Sequence, residues 1–238
     1  MKVLEDLVSE EPLIDAARLD AARCEVRREP FAFLVARGQL PEAAADVLGR
    51  DFPRYDSAGF FPYQAEDCGP AMVACVEALT SPDFARALGE RLGIEHLENY
   101  PALVTICRHL NKRHGTIHTD SRSKLATALL YLEPEWMHGS AGALRFLARV
   151  DSIDALVGPE VAPVYGTLVA FKRADNSFHG HLPFEGERKV IQVAWLTSAE
   201  EMERKTKRGR FSRALKKLLG RLDAWWGSGR GRNASHPD

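Results

Sequence analysis

Two short stretches of the chain have the residue types to hold a metal ion: TIHTDSRSK at 116–124 and FHGHLPFEGER at 178–188. In the first, His118 and Asp120 lie two residues apart, a spacing that in a β-strand turns both side chains to one face. One imidazole and one carboxylate can then converge on a single ion. The second stretch offers His179 and His181, again two apart, so strand periodicity does not choose between them. Either would complete a two-histidine, one-carboxylate facial triad, which leaves adjacent coordination positions open and suits non-haem Fe(II). An HxD pair alone is weak, because the same spacing occurs in turns and on surfaces. Its weight comes from order: HxD, a run of strands, a histidine, then an arginine.

That arginine, Arg188, stands nine residues beyond His179 at the head of the apolar run KVIQVAWL. A guanidinium buried there needs an anionic partner, and its planar fork suits a carboxylate. The plainer alternatives are a salt bridge to Glu185 or Glu187, or exposure at the strand start. With metal-type residues upstream, a bound dicarboxylate is the better reading. Ser121, Arg122, Ser123 and Lys124 follow HTD directly. Either they form a solvated turn, or Arg122 or Lys124 reaches an anionic or hydroxylated substrate. His96, His109, His114, His138 and His236 have no carboxylate or cysteine at a ligand spacing, and Trp136 reads as a packing residue.

The elements that must position these groups change character near Pro101. Before it, residues 11–26, 41–49 and 70–92 are rich in alanine and leucine with charges at helical spacing, and PFAFLVARG (30–38) reads as one strand closed by Gly38. After it come ALVTICRHL, LATALLYL, ALRFL, GTLVAFK and RKVIQVAWL, short strands separated by Gly, Pro, Asp and Asn clusters. Strands this short bury an apolar face only against a second sheet, so the expected fold is mainly β with supporting helices, a sandwich or jelly roll. The expected organisation is a mainly helical support region over 1–100, the β domain over 101–197, and a basic tail over 198–238.

From residue 200 the chain holds eleven Lys and Arg against five Asp and Glu. Phe211, Leu215, Leu218, Leu219, Leu222, Trp225 and Trp226 recur at helical spacing opposite Arg213, Lys216, Lys217 and Arg221, giving a basic amphipathic helix. It either docks on the domain or, through residues 204–226, meets an anionic membrane or acidic partner. GSGRGRNASHPD is expected to be disordered. Over the full 238 residues the formal charge is only −1, so composition points to no nucleic-acid partner. Cys24, Cys68, Cys75 and Cys107 are widely spaced and suggest a reduced, cytoplasmic protein. The acidic N-terminus does not read as a signal peptide, and no apolar run is long enough to span a bilayer, though peripheral membrane contact fits the tail.

Residues 104–196 resemble the Fe(II)- and 2-oxoglutarate-dependent dioxygenases, in particular the prolyl 4-hydroxylase-like branch. HTD matches that family's ligand pair. ALLYLEPEW resembles its Tyr-Leu strand end, turn and Trp. AGALRFL resembles its Gly-Gly-x-Leu-x-Phe strand, with Ala141 in place of the first glycine. GTLVAFKRADNSFHGHLPFEGERKVIQVAWL resembles its Gly-x-Leu-x-x-Phe strand, loop, histidine and arginine strand. The resemblance implies a double-stranded β-helix, the cupin-like jelly roll, flanked by N-terminal helices and a C-terminal helix. It implies that His118, Asp120 and His179 bind iron, and that Arg188 and Tyr131 hold the far carboxylate of 2-oxoglutarate. The nine-residue distance to Arg188 and the family's placement of its ligand after an Asn-Ser-type loop both favour His179 over His181. The position of His181 is commonly apolar in the family, which leaves it as a group that supports the metal ligands or faces the substrate.

The activity so implied is hydroxylation of an unactivated C–H bond, consuming O2 and 2-oxoglutarate, releasing succinate and CO2, and drawing on ascorbate as reductant. A prolyl or other protein side chain, a saccharide or a lipid could be the substrate. Two other classes compete. A non-catalytic cupin-like binding protein would lack a usable co-substrate arginine, which this chain retains. A scaffold working through its basic tail would tolerate loss of Asp120.

Overall fold

The computed structural model describes residues 13–19 and 24–208. Nine strands are described: β1 (Cys24–Arg27), β2 (Phe33–Ala36), β3 (Phe60–Pro62), β4 (Ala102–Leu110), β5 (Lys124–Tyr131), β6 (Arg145–Leu147), β7 (Leu168–Lys172), β8 (Phe178–Gly180) and β9 (Gly186–Leu196). Seven of them form an antiparallel sheet in the order β1-β2-β7-β5-β9-β4-β3, and β6 pairs with β8 in a second, small sheet. The bridges His118↔His179 and Leu144↔Val161 extend the small sheet with loop residues. The architecture is a jelly-roll sandwich with supporting helices, as the short punctuated strands predict.

Side-chain alternation divides the apolar residues into two cores. Ile191, Val193 and Trp195 of β9, with Ala126, Ala128 and Leu130 of β5, face the helices. Leu129 and Tyr131 of β5, Val169 and Phe171 of β7 and Val190 of β9 face the space between the sheets. Arg188 and Thr127 share the parity of this inner face, which is how polar groups come to line an otherwise apolar barrel. Each large side chain fully buried on either face contributes about 1.5–3 kcal/mol of transfer free energy. Trp195, among the largest of these, anchors the sheet to the helix layer.

The helix layer follows its local signals. Residues 70–92 form two helices, Pro70–Leu79 and Pro82–Leu92, because Pro70 and Pro82 each sit at a helix start, and the Ser81 hydroxyl caps the second by accepting from the Phe84 N–H at 3.2 Å. Gly93, at φ +65°, stops it in the left-handed cap that glycine adopts without strain. The 41–49 reading becomes a 3₁₀ turn at Glu42–Ala44 and a helix at Ala45–Asp51.

The helix expected over 11–26 is corrected. Only Ala16–Leu19 is helical among its described residues, and Cys24–Arg27 is the edge strand β1. The segment C-E-V-R alternates apolar and charged, so pairing with β2 buries Cys24 and Val26 against the first core while Glu25 and Arg27 remain on the other face. The residues before 101 therefore supply three strands of the main sheet as well as helices. Residues 199–208 are helical. The apolar stripe from Phe211 to Trp226 lies outside the described residues. No helix among the described residues is long and apolar enough to cross a membrane.

Candidate metal and co-substrate site

His118, Asp120 and His179 come together: one ligand atom from each lies within 4.8 Å of the other two. His179 is placed by β8, paired with Phe146 of β6, and His118 by its backbone bridge to His179. That bridge exchanges both hydrogen bonds, at 3.1 and 3.0 Å, and brings the two imidazoles to 4.4 Å between ring centroids. Each ring is oriented through Nδ1, His118 against the Thr116 carbonyl at 2.8 Å and His179 against the Ser177 carbonyl at 2.9 Å. With Nδ1–H donating, Nε2 is left as the lone-pair nitrogen, the tautomer a metal ligand needs.

Asp120 is fixed as firmly. Its Oδ1 accepts from Lys124 Nζ at 2.6 Å and its Oδ2 from the Thr127 hydroxyl at 2.5 Å. Burial alone would raise its carboxyl, but the charges of Lys124 and His179 and these two hydrogen bonds outweigh burial and hold it well below the usual carboxylate range. Burial pushes His179 down to about 4, against the opposing pull of Asp120. The set therefore offers an ionised carboxylate from Asp120, a neutral imidazole from His179 and a second imidazole from His118. These are borderline nitrogen donors and one hard oxygen, with three positions filled and the rest open, a donor set that fits Fe(II).

Arg188 lies in the same barrel, 3% exposed. Its Nε donates to the Gly142 carbonyl at 3.0 Å and its Nη2 to the Tyr131 hydroxyl at 3.2 Å, with the guanidinium 5.0 Å from the Tyr131 ring centroid. No carboxylate among the described residues pairs with it. Glu187, one alternative partner, is engaged by Arg108 at 3.0 Å and Lys189 at 3.2 Å, and Glu185 is exposed. A buried guanidinium bonded only to neutral oxygens is an unbalanced positive charge, which a carboxylate entering the barrel would balance.

The remaining candidates separate. His181 is buried outside the metal cluster, its Nδ1 on the Leu182 carbonyl at 2.7 Å and its ring against Gly115. A Cβ on Gly115 would lie 2.2 Å from that ring, and the φ of +84° there also demands glycine. Burial, with the nearby charge of Arg188, brings His181 to about 4, so it sits neutral as part of the wall. Arg122 is exposed. Lys124 is not a solvated turn residue: it turns inward, and its ammonium is engaged by Asp120. Trp136 packs on Phe184 at 4.8 Å, as expected of a packing residue.

Three participants had no motif to point to them. Thr127 is the only aliphatic hydroxyl in the strand KLATALLY, and the parity it shares with Leu129 and Tyr131 was a usable signal. Gly142 contributes a carbonyl, which no side chain advertises. Lys205, in the 199–208 helix, donates to Ser121 Oγ at 3.1 Å, a contact between residues 84 positions apart.

Residues 104–197 match the family described as the 2OG-Fe(II) oxygenase superfamily. No curated protein matches the chain significantly. A prolyl-4-hydroxylase from Pseudomonas putida is 20% identical, with 70% of this chain and 88% of that chain covered, at a TM-score of 0.50. The viral collagen prolyl hydroxylase of Paramecium Bursaria Chlorella virus-1, in a truncated form, is 17% identical over 70% of this chain and 90% of that one, at 0.48. A Trichoplax adhaerens prolyl hydroxylase, solved with a hypoxia inducible factor oxygen degradation domain peptide fragment, is 16% identical over 69% and 83%, at 0.47. At such identities the likeness to the Pseudomonas structure is one of fold.

Proposed function

We propose, from the match of residues 104–197 to the 2OG-Fe(II) oxygenase superfamily, that the protein is a 2-oxoglutarate-dependent hydroxylase acting on an unactivated C–H bond. The observation that carries the reading is Arg188: a buried, unbalanced guanidinium in the same barrel as the two-histidine, one-carboxylate cluster. In this reading His118, Asp120 and His179 hold Fe(II), and Arg188 with the Tyr131 hydroxyl takes the distal carboxylate of 2-oxoglutarate. The bound iron supplies oxygen activation coupled to decarboxylation of 2-oxoglutarate, so that the products are hydroxylated substrate, succinate and CO2.

The chain's own contribution is placement. The Thr116 and Ser177 carbonyls hold both imidazoles in one tautomer, and the Gly142 carbonyl aims Arg188. The inner apolar core around Leu129, Phe146, Phe171 and Val190 keeps water from the co-substrate end. No protein nucleophile or general base is needed. A prolyl side chain is the substrate class we propose, in line with the prolyl-4-hydroxylase of like fold. Arg122, two residues past Asp120 and exposed, is the substrate-side cation, while His181 serves as a wall.

The test is anaerobic addition of Fe(II) and 2-oxoglutarate to the purified full chain, followed by the visible charge-transfer absorbance of the chelate. A band in wild type that disappears in His179→Ala and survives in His181→Ala is the expected result. No band in wild type would sink the oxygenase reading, and loss only in His181→Ala would overturn the ligand set.

A further inference from the structure

Both oxygens of Asp120 are already occupied by hydrogen bonds from side chains, one of which carries a full positive charge. Lys124 Nζ reaches Oδ1 at 2.6 Å with the two side chains only 14% and 9% exposed, so the contact is shielded from water. The local chain makes this close approach. Lys124 N–H donates to the Ser121 carbonyl at 3.0 Å, closing a turn, and a register shift between Lys124 and Ala126 against β9 re-aims the first residue of β5. Thr127 then covers Oδ2 from the same strand. A second ammonium stands behind the first, since Lys205 Nζ holds Ser121 Oγ at 3.1 Å.

Resting on the reading that His118, Asp120 and His179 hold the metal, we infer that Lys124 is a positioning residue that tunes the charge of the metal carboxylate. Its ammonium offsets the single negative charge of the donor set and so weakens the grip of the site on a divalent cation. Charge supplies the reason. An ammonium in contact with a carboxylate cancels much of the field a cation would feel, and across a buried pair that effect is little screened by salt. A lysine that merely supported Asp120 would act in the opposite sense: removing it would loosen the carboxylate and weaken metal binding. The sign of the change therefore separates tuning from support.

The experiment is a titration of the chelator-stripped full chain with Mn(II) at pH 8, read by electron paramagnetic resonance of the free ion. It compares wild type, Lys124→Met, Lys124→Gln, Lys124→Arg and His118→Ala. The glutamine keeps a hydrogen-bond donor and loses only the charge, and serves alone if the methionine variant fails to melt cooperatively. The neutral variants are expected to bind Mn(II) roughly tenfold or more tightly than wild type, with Lys124→Arg within about threefold of it, as the contact-range Coulomb energy implies. Unchanged or weaker binding in a folded neutral variant overturns the inference. His118→Ala distinguishes this from failure of the underlying reading. If it retains wild-type affinity, the ion is not held by the triad at all. If it loses affinity while the neutral Lys124 variants gain none, only the role given to Lys124 falls.

Discussion

Replacing Arg188 by methionine should produce two changes of opposite direction. The side chain is 3% exposed, bonded to the Gly142 carbonyl and the Tyr131 hydroxyl and to no carboxylate among the described residues. The co-substrate-free protein thus bears the desolvation of a charge that neutral oxygens offset only in part. Methionine fills much of the same volume without that charge, so the thermal midpoint without co-substrate should hold or rise. Binding of 2-oxoglutarate should collapse. Removing one partner of a buried, hydrogen-bonded charge pair costs about 2–5 kcal/mol, which converts to a loss of roughly thirty-fold to a few thousand-fold in affinity. The assay is differential scanning fluorimetry with Mn(II) in place, with and without millimolar 2-oxoglutarate, backed by calorimetric titration. Wild type should gain stability from the ligand by mass action and the variant should gain none. A variant that keeps 2-oxoglutarate affinity within about threefold would refute the assignment of Arg188 to the co-substrate carboxylate. A midpoint far below wild type without ligand would refute the argument that the charge is unbalanced.

The other expectations concern the walls of the site. Gly115→Ala should destabilise by about 2–4 kcal/mol through overpacking on His181 and strain at φ +84°, and combining it with His181→Ala should recover about 1 kcal/mol or more in a denaturant double-mutant cycle. Thr127→Val leaves Asp120 Oδ2 without its hydroxyl donor inside the barrel, at a cost of about 1–3 kcal/mol in the urea midpoint. His181 gives a pH dependence. It takes up a proton near 6.5 when unfolded but only near 4 when folded, so between those values the unfolded chain binds more protons and stability falls as pH falls. This one group should contribute about 3 kcal/mol above pH 6.5, lost by about pH 4, and His181→Leu should flatten that part of a stability profile measured by urea denaturation.

Much of the site was legible because its signals are local or periodic. HTD sets an imidazole and a carboxylate two residues apart, although they lie in the connection between β4 and β5, with only His118 in an isolated bridge, and not in the strand that the spacing suggests; Arg188 at the head of an apolar run announces a buried charge that needs an anion. The order of these pieces carried the resemblance, and the short, punctuated strands after Pro101 pointed to two packed sheets. The edge strand Cys24–Arg27 was lost to the alanine-rich text before it, since four alternating residues carry less weight than a long helical window. Its state is set by a neighbouring strand, which is a tertiary fact.

By itself the sequence determined which groups this protein has available: two histidines, one aspartate, one arginine and one tyrosine in a set order, along strands that must close on each other to bury their faces. It left His179 and His181 equivalent by spacing, and left Lys124 open between solvent and substrate. Only the tertiary structure shows where each of these side chains lies, because that depends on what meets it across space. The bridge to His118 brings His179 into the cluster, Gly115 takes up the ring of His181, and a closed turn folds Lys124 back over Asp120. Periodicity states which face a side chain occupies. Which neighbour meets it there is decided by the pairing of distant strands and loops.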